Sequence, residues 1–219
     1  SYFSIFFGYN LIFQKSKNDT IGSHTIVADN DELGDISFAG SDGAAFRTAA
    51  RINVDVDGTP GSSDMPGRIQ FSTTANGAAT PTERLRITSA GAAIFKGGLA
   101  EKYENAGTTL GSQPNNPLSD GNVILFTGNE SGNKTINFTG VHATLSNGET
   151  VSFTAILTPN NSGVINVVQV DGQAITIKWS GGSAPDAGAS GQDIYTFQIL
   201  KTGTGTSDYT VFGAATNYA

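Results

Sequence analysis

Apolar and polar side chains alternate with a period of two along most of this chain. Within residues 51–57, Ile52, Val54 and Val56 alternate with charged or amide side chains, so the apolar ones share one face of an extended strand. Runs of Gly, Asn and Asp separate such segments and are typical of turns. In the first half this pattern predicts six strands: Thr20–Ala28, Asp35–Ala39, Ala44–Val56, Arg68–Thr73, Glu83–Thr88 and Ala92–Phe95.

Seven longer and more apolar strands follow from Asn122 onward. They are Asn122–Thr127, Lys134–Thr139, Thr150–Leu157, Gly163–Val170, Ala174–Trp179, Asp193–Lys201 and Asp208–Gly213. Strands of this number with Gly- and Asn-containing turns are typical of a β-sandwich, here jelly-roll-like. Asn147-Gly148 and Asp171-Gly172 are type I′ hairpin signals, and the first would join a strand over His142–Leu145 to the next one. The sequence therefore predicts an all-β protein.

The composition changes along the chain and divides it into four segments. Pro114 and Pro117 lie in a stretch rich in turn formers, which favours a linker, with one short helical turn over Leu99–Ala106. The predicted segments are an apolar N-terminal arm (1–13), a β-rich fibre shaft domain (14–96), the linker (97–121) and a C-terminal β-sandwich domain (122–219).

The N-terminal arm is apolar and aromatic over its 13 residues. It has no basic segment and no cleavage site, and it is too short to cross a bilayer, so the sequence predicts no membrane insertion. An apolar patch of this size usually marks a contact, and we expect the arm to pack within an assembly or to dock on another protein. Met65 is the only methionine, which indicates that the chain is a fragment or a processed product.

Small residues in the first half stand where a globular core would have Leu or Phe. Ala44, Ala45, Ala49 and Ala50 are examples within one predicted strand region. A single copy of this half has little to bury, whereas identical chains around an axis supply the missing core to one another. The sequence thus predicts an intertwined trimeric β shaft and a homotrimer as the assembly.

Charge and composition exclude several classes of protein. Charged residues make up only 14% of the chain, against about a quarter in an average soluble domain. Few strong helix formers are present, which excludes a helical bundle. The formal net charge is −7, and the four basic and nine acidic residues of 101–219 place most of the excess in the second half. Nucleic acid is excluded as a partner because phosphate binding needs clustered Lys or Arg. The absence of Cys excludes thiolate metal sites and cysteine nucleophiles.

No motif in the sequence indicates catalysis. There is no Gly-x-Ser-x-Gly elbow and no phosphate-binding loop, and His24 and His142 stand alone. Asp29, Asp31 and Gly34 match part of a calcium loop, but Leu33 occupies the fifth position, where an oxygen donor is required. We therefore predict no catalytic residues, no metal site and no cofactor. A pair of carboxylates for glycoside hydrolysis stays open as an alternative, because sequence spacing cannot test it.

Candidate binding residues lie around one loop of the second half. Ser180–Gly191 is a long loop rich in Gly, Ser and Ala, and binding residues are frequent on such loops. Trp179 ends the strand before it and can stack on a sugar ring or fill the core of the sandwich. The predicted binding residues are Trp179, Asp186 and Asp193.

Several stretches resemble segments of bacteriophage tail fibres and related virion proteins, especially those of marine cyanophages. The most specific is Asp57-Gly58-Thr59-Pro60-Gly61 followed by Met65-Pro66-Gly67-Arg68. The others are Asn18–Ala28, Leu33–Gly43, Pro81–Ile87, Trp179–Pro185 and Asp193–Phe197. The similarity extends over residues 18–95 and 120–219, and it does not include residues 1–13.

This resemblance implies a trimeric, non-enzymatic virion fibre with a distal binding domain, exposed on the particle and assembled in the host cytoplasm. Its partners would be identical copies, other virion proteins contacted through residues 1–13, and a glycan or protein of the host surface. Three alternatives stay open at this point: a capsid decoration protein, a polysaccharide-binding or polysaccharide-degrading tailspike-like protein, and a cellular lectin or adhesin.

Overall fold

The structure, a computed structural model, describes residues 11–112, 114–160 and 163–218. Strands account for 50% of the residues and helices for 5%, which confirms the all-β prediction. The chain forms two compact units, one that ends at Leu99 and one that begins at Ala100, and each is described by itself. Most of the predicted N-terminal arm lies outside the described residues.

The first unit is a single sheet of five strands that follow one another in space in chain order. All neighbouring strands are antiparallel. The strands are β1 (Glu32–Ser41), β2 (Phe46–Val56), β3 (Gly67–Thr73), β4 (Thr82–Ile87) and β5 (Ala93–Phe95). They correspond to five of the six strands that the alternation predicts here. The sheet has no second layer of strands in residues 11–99.

The sixth prediction, a strand over Thr20–Ala28, is wrong, because this segment has no regular structure. Its backbone is held by side chains instead of by a neighbouring strand. The Ser16 hydroxyl accepts a hydrogen bond from the Thr25 N–H at 2.9 Å, and the Asn18 side chain accepts one from the Thr20 N–H at 2.9 Å. Local bonds of this kind compete with the pairing of strands.

The second unit consists of two sheets that pack face to face. The six-stranded sheet has the order β13-β15-β14-β10-β8-β6, and the four-stranded sheet has the order β12-β11-β9-β7. The strands are β6 (Tyr103–Asn105), β7 (Asn115–Pro117), β8 (Val123–Glu130), β9 (Asn133–Thr139), β10 (Thr150–Pro159), β11 (Val164–Val170), β12 (Gln173–Ile175), β13 (Ile177–Trp179), β14 (Gln192–Lys201) and β15 (Tyr209–Tyr218). One short helix, α1 (Val141–Thr144), lies between β9 and β10.

Aromatic side chains fill the space between the two sheets. Phe138 of β9 stacks on Phe153 of β10 with ring centroids 4.1 Å apart, and Phe138 also contacts Phe197 of β14 at 5.7 Å. All three rings are fully buried. Each is worth roughly 1.5–3 kcal/mol in burial alone, so this cluster is a major source of stability for the second unit.

The path of the chain between the sheets differs from a jelly-roll. Strands β6, β8 and β10 are parallel neighbours in one sheet, and β7, β9 and β11 are parallel neighbours in the other. The chain therefore winds through three successive coils, each of which gives one strand to each sheet. A jelly-roll has antiparallel neighbours, so that part of the prediction is corrected. The antiparallel strands β14 and β15 then extend the larger sheet.

One of the two predicted hairpins is confirmed. Asp171 and Gly172 both have positive φ, 49° and 83°, as a type I′ turn requires, and they join the antiparallel strands β11 and β12. Before Asn147-Gly148 the chain forms α1 and not the predicted strand His142–Leu145. The reason is the Asp171 carboxylate, which accepts hydrogen bonds from the N–H groups of Gly140 and His142 at the start of this helix.

The segment predicted as a linker, 97–121, belongs to the second unit from Ala100 onward. It contributes β6 and β7 to the two sheets, and β6 replaces the helical turn predicted over Leu99–Ala106. Leu110 is fully buried in the core of the unit. Pro117, predicted as a turn residue, is the last residue of strand β7.

Candidate functional site

The side chains of strand β14 alternate between the two faces of the six-stranded sheet. Tyr195, Phe197 and Ile199 are buried in the core, whereas Thr196 and Gln198 point to the opposite side, because successive side chains of a strand alternate. The same alternation holds in β10 and β15. We call the side away from the core the outer face.

The outer face carries polar side chains in register across four strands. Gln198 of β14 is paired with Ser152 of β10 and with Phe212 of β15, and Phe212 is paired with Lys178 of β13. The Ser152 hydroxyl donates a hydrogen bond to the Gln198 side-chain oxygen at 2.6 Å. The Gln198 amide in turn donates to the Thr150 hydroxyl. These bonds hold the Gln198 side chain in one orientation.

A shallow groove of about 550 Å³ runs along this face, and we call it the outer groove. Hydroxyl and amide side chains and the Phe212 ring face this groove, together with the Lys178 ammonium, which lies 5.5 Å from the centre of the Phe212 ring. No carboxylate lines it. Its lining residues are Ser152, Phe153, Thr154, Lys178, Trp179, Ser180, Thr196, Phe197, Gln198, Phe212, Gly213 and Ala214.

Exposed aromatic side chains of the second unit are confined to the outer face. Among its described residues, the large hydrophobic side chains that are exposed are Tyr103, Phe212 and Tyr218. The register of β6 with β8 and of β15 with β14 places all three on this face. In the described strands of the six-stranded sheet, no Asp or Glu occupies an outward position. The outer face is thus aromatic and hydroxyl-rich and carries one cation.

Trp179 borders the outer groove, but its ring faces the core. It makes edge contacts with Tyr195 and Phe197, at centroid distances of 6.4 and 6.0 Å. Gly213 of β15 makes room for it, since a Cβ there would lie 2.8 Å from the indole ring. Of the two roles that the sequence leaves open for Trp179, the structure favours packing in the core.

Asp193 anchors the loop after Trp179 and does not face the groove. Its side chain is buried, and one carboxylate oxygen accepts a hydrogen bond from the Gly188 N–H at 3.0 Å. A Cβ at Gly188 would lie 2.5 Å from the other oxygen, so only glycine fits. Burial, with the nearby charge of Asp193, raises the pKa of Tyr195 to about 12. These contacts give Asp193 a structural role.

Asp186 is exposed in the loop, and its backbone carbonyl accepts a hydrogen bond from the Asn217 amide at 3.4 Å. Neither Asp186 nor Asp193 lines the outer groove, so the structure does not join the three predicted binding residues in one site. Lys178, Gln198 and Phe212 are not among the site residues that the sequence predicts. The signal for them is the run of polar and exposed side chains at alternate positions of β10, β14 and β15, and the exposed middle position of β13.

The first unit has a second candidate surface, which is apolar. Ile36, Ile52, Phe71, Leu85 and Phe95 are aligned in one row across all five strands. The next row contains Val54, Ile69 and Ile87. We call this side of the sheet the apolar face. None of the side chains named in these two rows is fully buried, and Phe95 is 52% exposed.

The opposite side of the same sheet is polar and carries ion pairs. Arg68 contacts Asp55 at 3.0 Å, Arg86 contacts Glu83 at 2.7 Å, and Arg51 pairs with Glu32 and Asp35. The Arg86 guanidinium lowers the pKa of Glu83 below its ordinary value. A sheet with one charged side and one apolar side needs a partner for the apolar side.

Part of the apolar face is covered by the segment Leu11–Phe13. This segment, with Ile36, Ile52 and Val54, lines a cavity of about 360 Å³. The Phe13 side chain lies directly over Gly34, where a Cβ would be 2.8 Å from the ring. The end of the face that holds Ile87 and Phe95 is exposed.

Neither metal-ligand clusters nor membrane-spanning helices are found in the described parts of the chain. No three His, Asp or Glu side chains within residues 11–112, 114–160 and 163–218 come together as metal ligands. None of the helices described there is long and apolar enough to cross a membrane. No protein-family model matches the chain, and no curated protein matches it.

Proposed function

We propose that the chain is a structural subunit of a viral fibre, which assembles through its first unit and contacts other molecules through its second. The observation that carries the proposal is the apolar face, a row of five apolar side chains on a sheet with no second layer of strands in residues 11–99. The resemblance of residues 18–95 to phage tail fibres supports the same conclusion.

Identical copies are the partners that best suit the apolar face. Packing three copies around an axis would bury Ile87 and Phe95 of each one against its neighbours. The small side chains of this unit would let the sheets approach closely. This packing would form the intertwined trimeric shaft, and we propose that the shaft lies on the outside of a virus particle.

Light scattering on the purified chain tests the assembly. We expect the mass of a trimer for the wild-type chain and a dissociation concentration at least tenfold higher for Phe95→Thr, since burial of a Phe is worth roughly 1.5–3 kcal/mol. Ile94→Thr is the matched control, because Ile94 lies on the same strand but on the polar side. A wild-type chain that is monomeric at high concentration would contradict the proposal.

The proposed role is binding without turnover. Attachment to a host surface through the second unit, repeated three times in the fibre, would give avidity without a single tight site. Antibody labelling of purified particles in the electron microscope distinguishes a tail fibre from a protein on the capsid. An assay for new reducing ends on host polysaccharides would detect the depolymerase alternative and would overturn the non-enzymatic role.

A further inference from the structure

We infer that the outer groove of the second unit binds an acidic glycan, a sugar chain that carries carboxylates. The inference rests on the proposed function in one respect, that the second unit attaches to other molecules. It names the surface used and the chemical class of the ligand.

The first argument is charge. The second unit has nine acidic and four basic residues, yet the outer groove is lined by Lys178 and by no carboxylate. Of the other three lysines of this unit, Lys134 pairs with Glu130 at 3.3 Å, Lys201 is buried against His142, and Lys102 lines a separate pocket together with Glu101 and Asp120. The groove is therefore the place where an anionic group finds a cation without a competing acid.

The second argument is the shape and chemistry of the face. Exposed Phe212 offers an apolar ring for the C–H side of a sugar, while Gln198, Ser152 and Thr196 offer donors and acceptors for its hydroxyls. The groove crosses β13, β15, β14 and β10, a span of about 14 Å at roughly 4.8 Å between strands. This length is suited to a short chain of sugar rings.

The third argument is that the overall charge of the protein cannot account for binding of an acidic glycan. The net charge of −7 repels polyanions from the protein as a whole. Binding of an acidic polymer therefore requires a local site and does not arise from bulk charge. Lys178 lies 5.5 Å from the Phe212 ring, so one sugar can contact the ring with its C–H groups and the ammonium with its carboxylate.

Calorimetry of the full chain with polygalacturonate and with neutral dextran tests the inference. We expect binding of polygalacturonate that weakens with added salt, and no binding of dextran. Lys178→Gln should weaken binding about tenfold, as expected for loss of a hydrogen bond to a charged group, and Lys178→Arg should retain it. Phe212→Ser should weaken it as well, whereas Phe212→Tyr should bind as the wild type does.

The matched control is Lys102→Gln, which removes an exposed lysine that does not line the outer groove. Equal binding of the two polymers, no binding of polygalacturonate, or equal effects of Lys178→Gln and Lys102→Gln would overturn the inference. Light scattering on the same samples separates it from the proposed assembly. A trimer that binds no polygalacturonate refutes the glycan site alone, and a monomer that binds it refutes the assembly alone.

Discussion

The indole ring of Trp179 lies against Gly213, where a Cβ would be 2.8 Å from the ring. Strand β13 is thereby brought close to β15, its parallel neighbour in the six-stranded sheet. The contact fixes Trp179 at the edge of the core, beside Tyr195 and Phe197. It explains why the Trp179 ring packs into the core, although the residue lies at the border of the outer groove.

Gly213→Ala is expected to destabilise the second unit by about 1–3 kcal/mol, because the added methyl group overpacks a site with no free space. Trp179 is the only tryptophan, so its fluorescence during urea unfolding measures the loss and reports on the contact itself. Gly98→Ala is the control, since a Cβ there meets nothing within 4 Å. The added Cβ would also lie 2.8 Å from the Ile177 side chain, so a Gly213→Ala variant as stable as the wild type would show that Trp179 and Ile177 can both move away.

The strands were largely predictable from the sequence, and the winding of the chain between sheets was not. Alternation identifies a strand such as β14 because each of its faces has a uniform environment. It carries no information on whether the next strand lies beside it or in the other sheet. The parallel coils of β6 to β11 therefore follow from packing between distant segments, which neighbouring residues do not reveal.

The residues of the candidate site were also not predictable from the sequence alone. Trp179 and Asp193 are conspicuous by residue type, and both are in fact used to hold the structure. Lys178, Gln198 and Phe212 are unremarkable one by one, and they come together only through the register of β13, β15 and β14. Register depends on cross-strand pairing, which a single sequence does not display.

Asp193 and Asp186 should respond differently to substitution by alanine. Asp193→Ala leaves the buried Gly188 N–H without its partner, and an unpaired buried donor costs about 1–3 kcal/mol. We expect faster proteolysis within residues 180–191 and faster hydrogen exchange at Gly188. Asp186→Ala, at an exposed position, serves as the control and should change neither rate. If both variants behave alike, Asp193 does not anchor the loop.

Gly34 is expected to govern how the segment around Phe13 lies on the apolar face. Gly34→Ala would place a methyl group 2.8 Å from the Phe13 ring and should displace the segment. Trypsin would then cleave faster after Lys15 and Lys17, which can be followed by mass spectrometry. Gly40→Ala, in the same strand but with nothing within 4 Å of the added Cβ, should leave cleavage unchanged. Equal cleavage of both variants would argue that Phe13 is not seated on Gly34.

Acidification should weaken the first unit through Asp57 and Glu83. The Asp57 carboxylate accepts hydrogen bonds from the N–H and hydroxyl of Ser89, at 2.8 and 2.9 Å, and these bonds lower its pKa. The Arg86 guanidinium lowers the pKa of Glu83. A carboxyl whose pKa is lower in the folded state stabilises the fold above its unfolded pKa of about 4, and this stabilisation is lost as the pH falls through the folded pKa.

Circular dichroism of the chain during urea unfolding at pH 7, 5, 4 and 3 would measure this loss, and variants in the first unit would assign its share to that unit. We expect stability to be unchanged down to pH 5 and then to fall. The variant Asp57→Asn cannot ionise, so it should start less stable at pH 7 and lose less on acidification, because part of the loss is already present. Asp64→Asn is the control, since Asp64 has no ion pair among the described residues. An identical pH dependence for Asp57→Asn and the wild type would exclude the Asp57–Ser89 contact as a source of acid sensitivity.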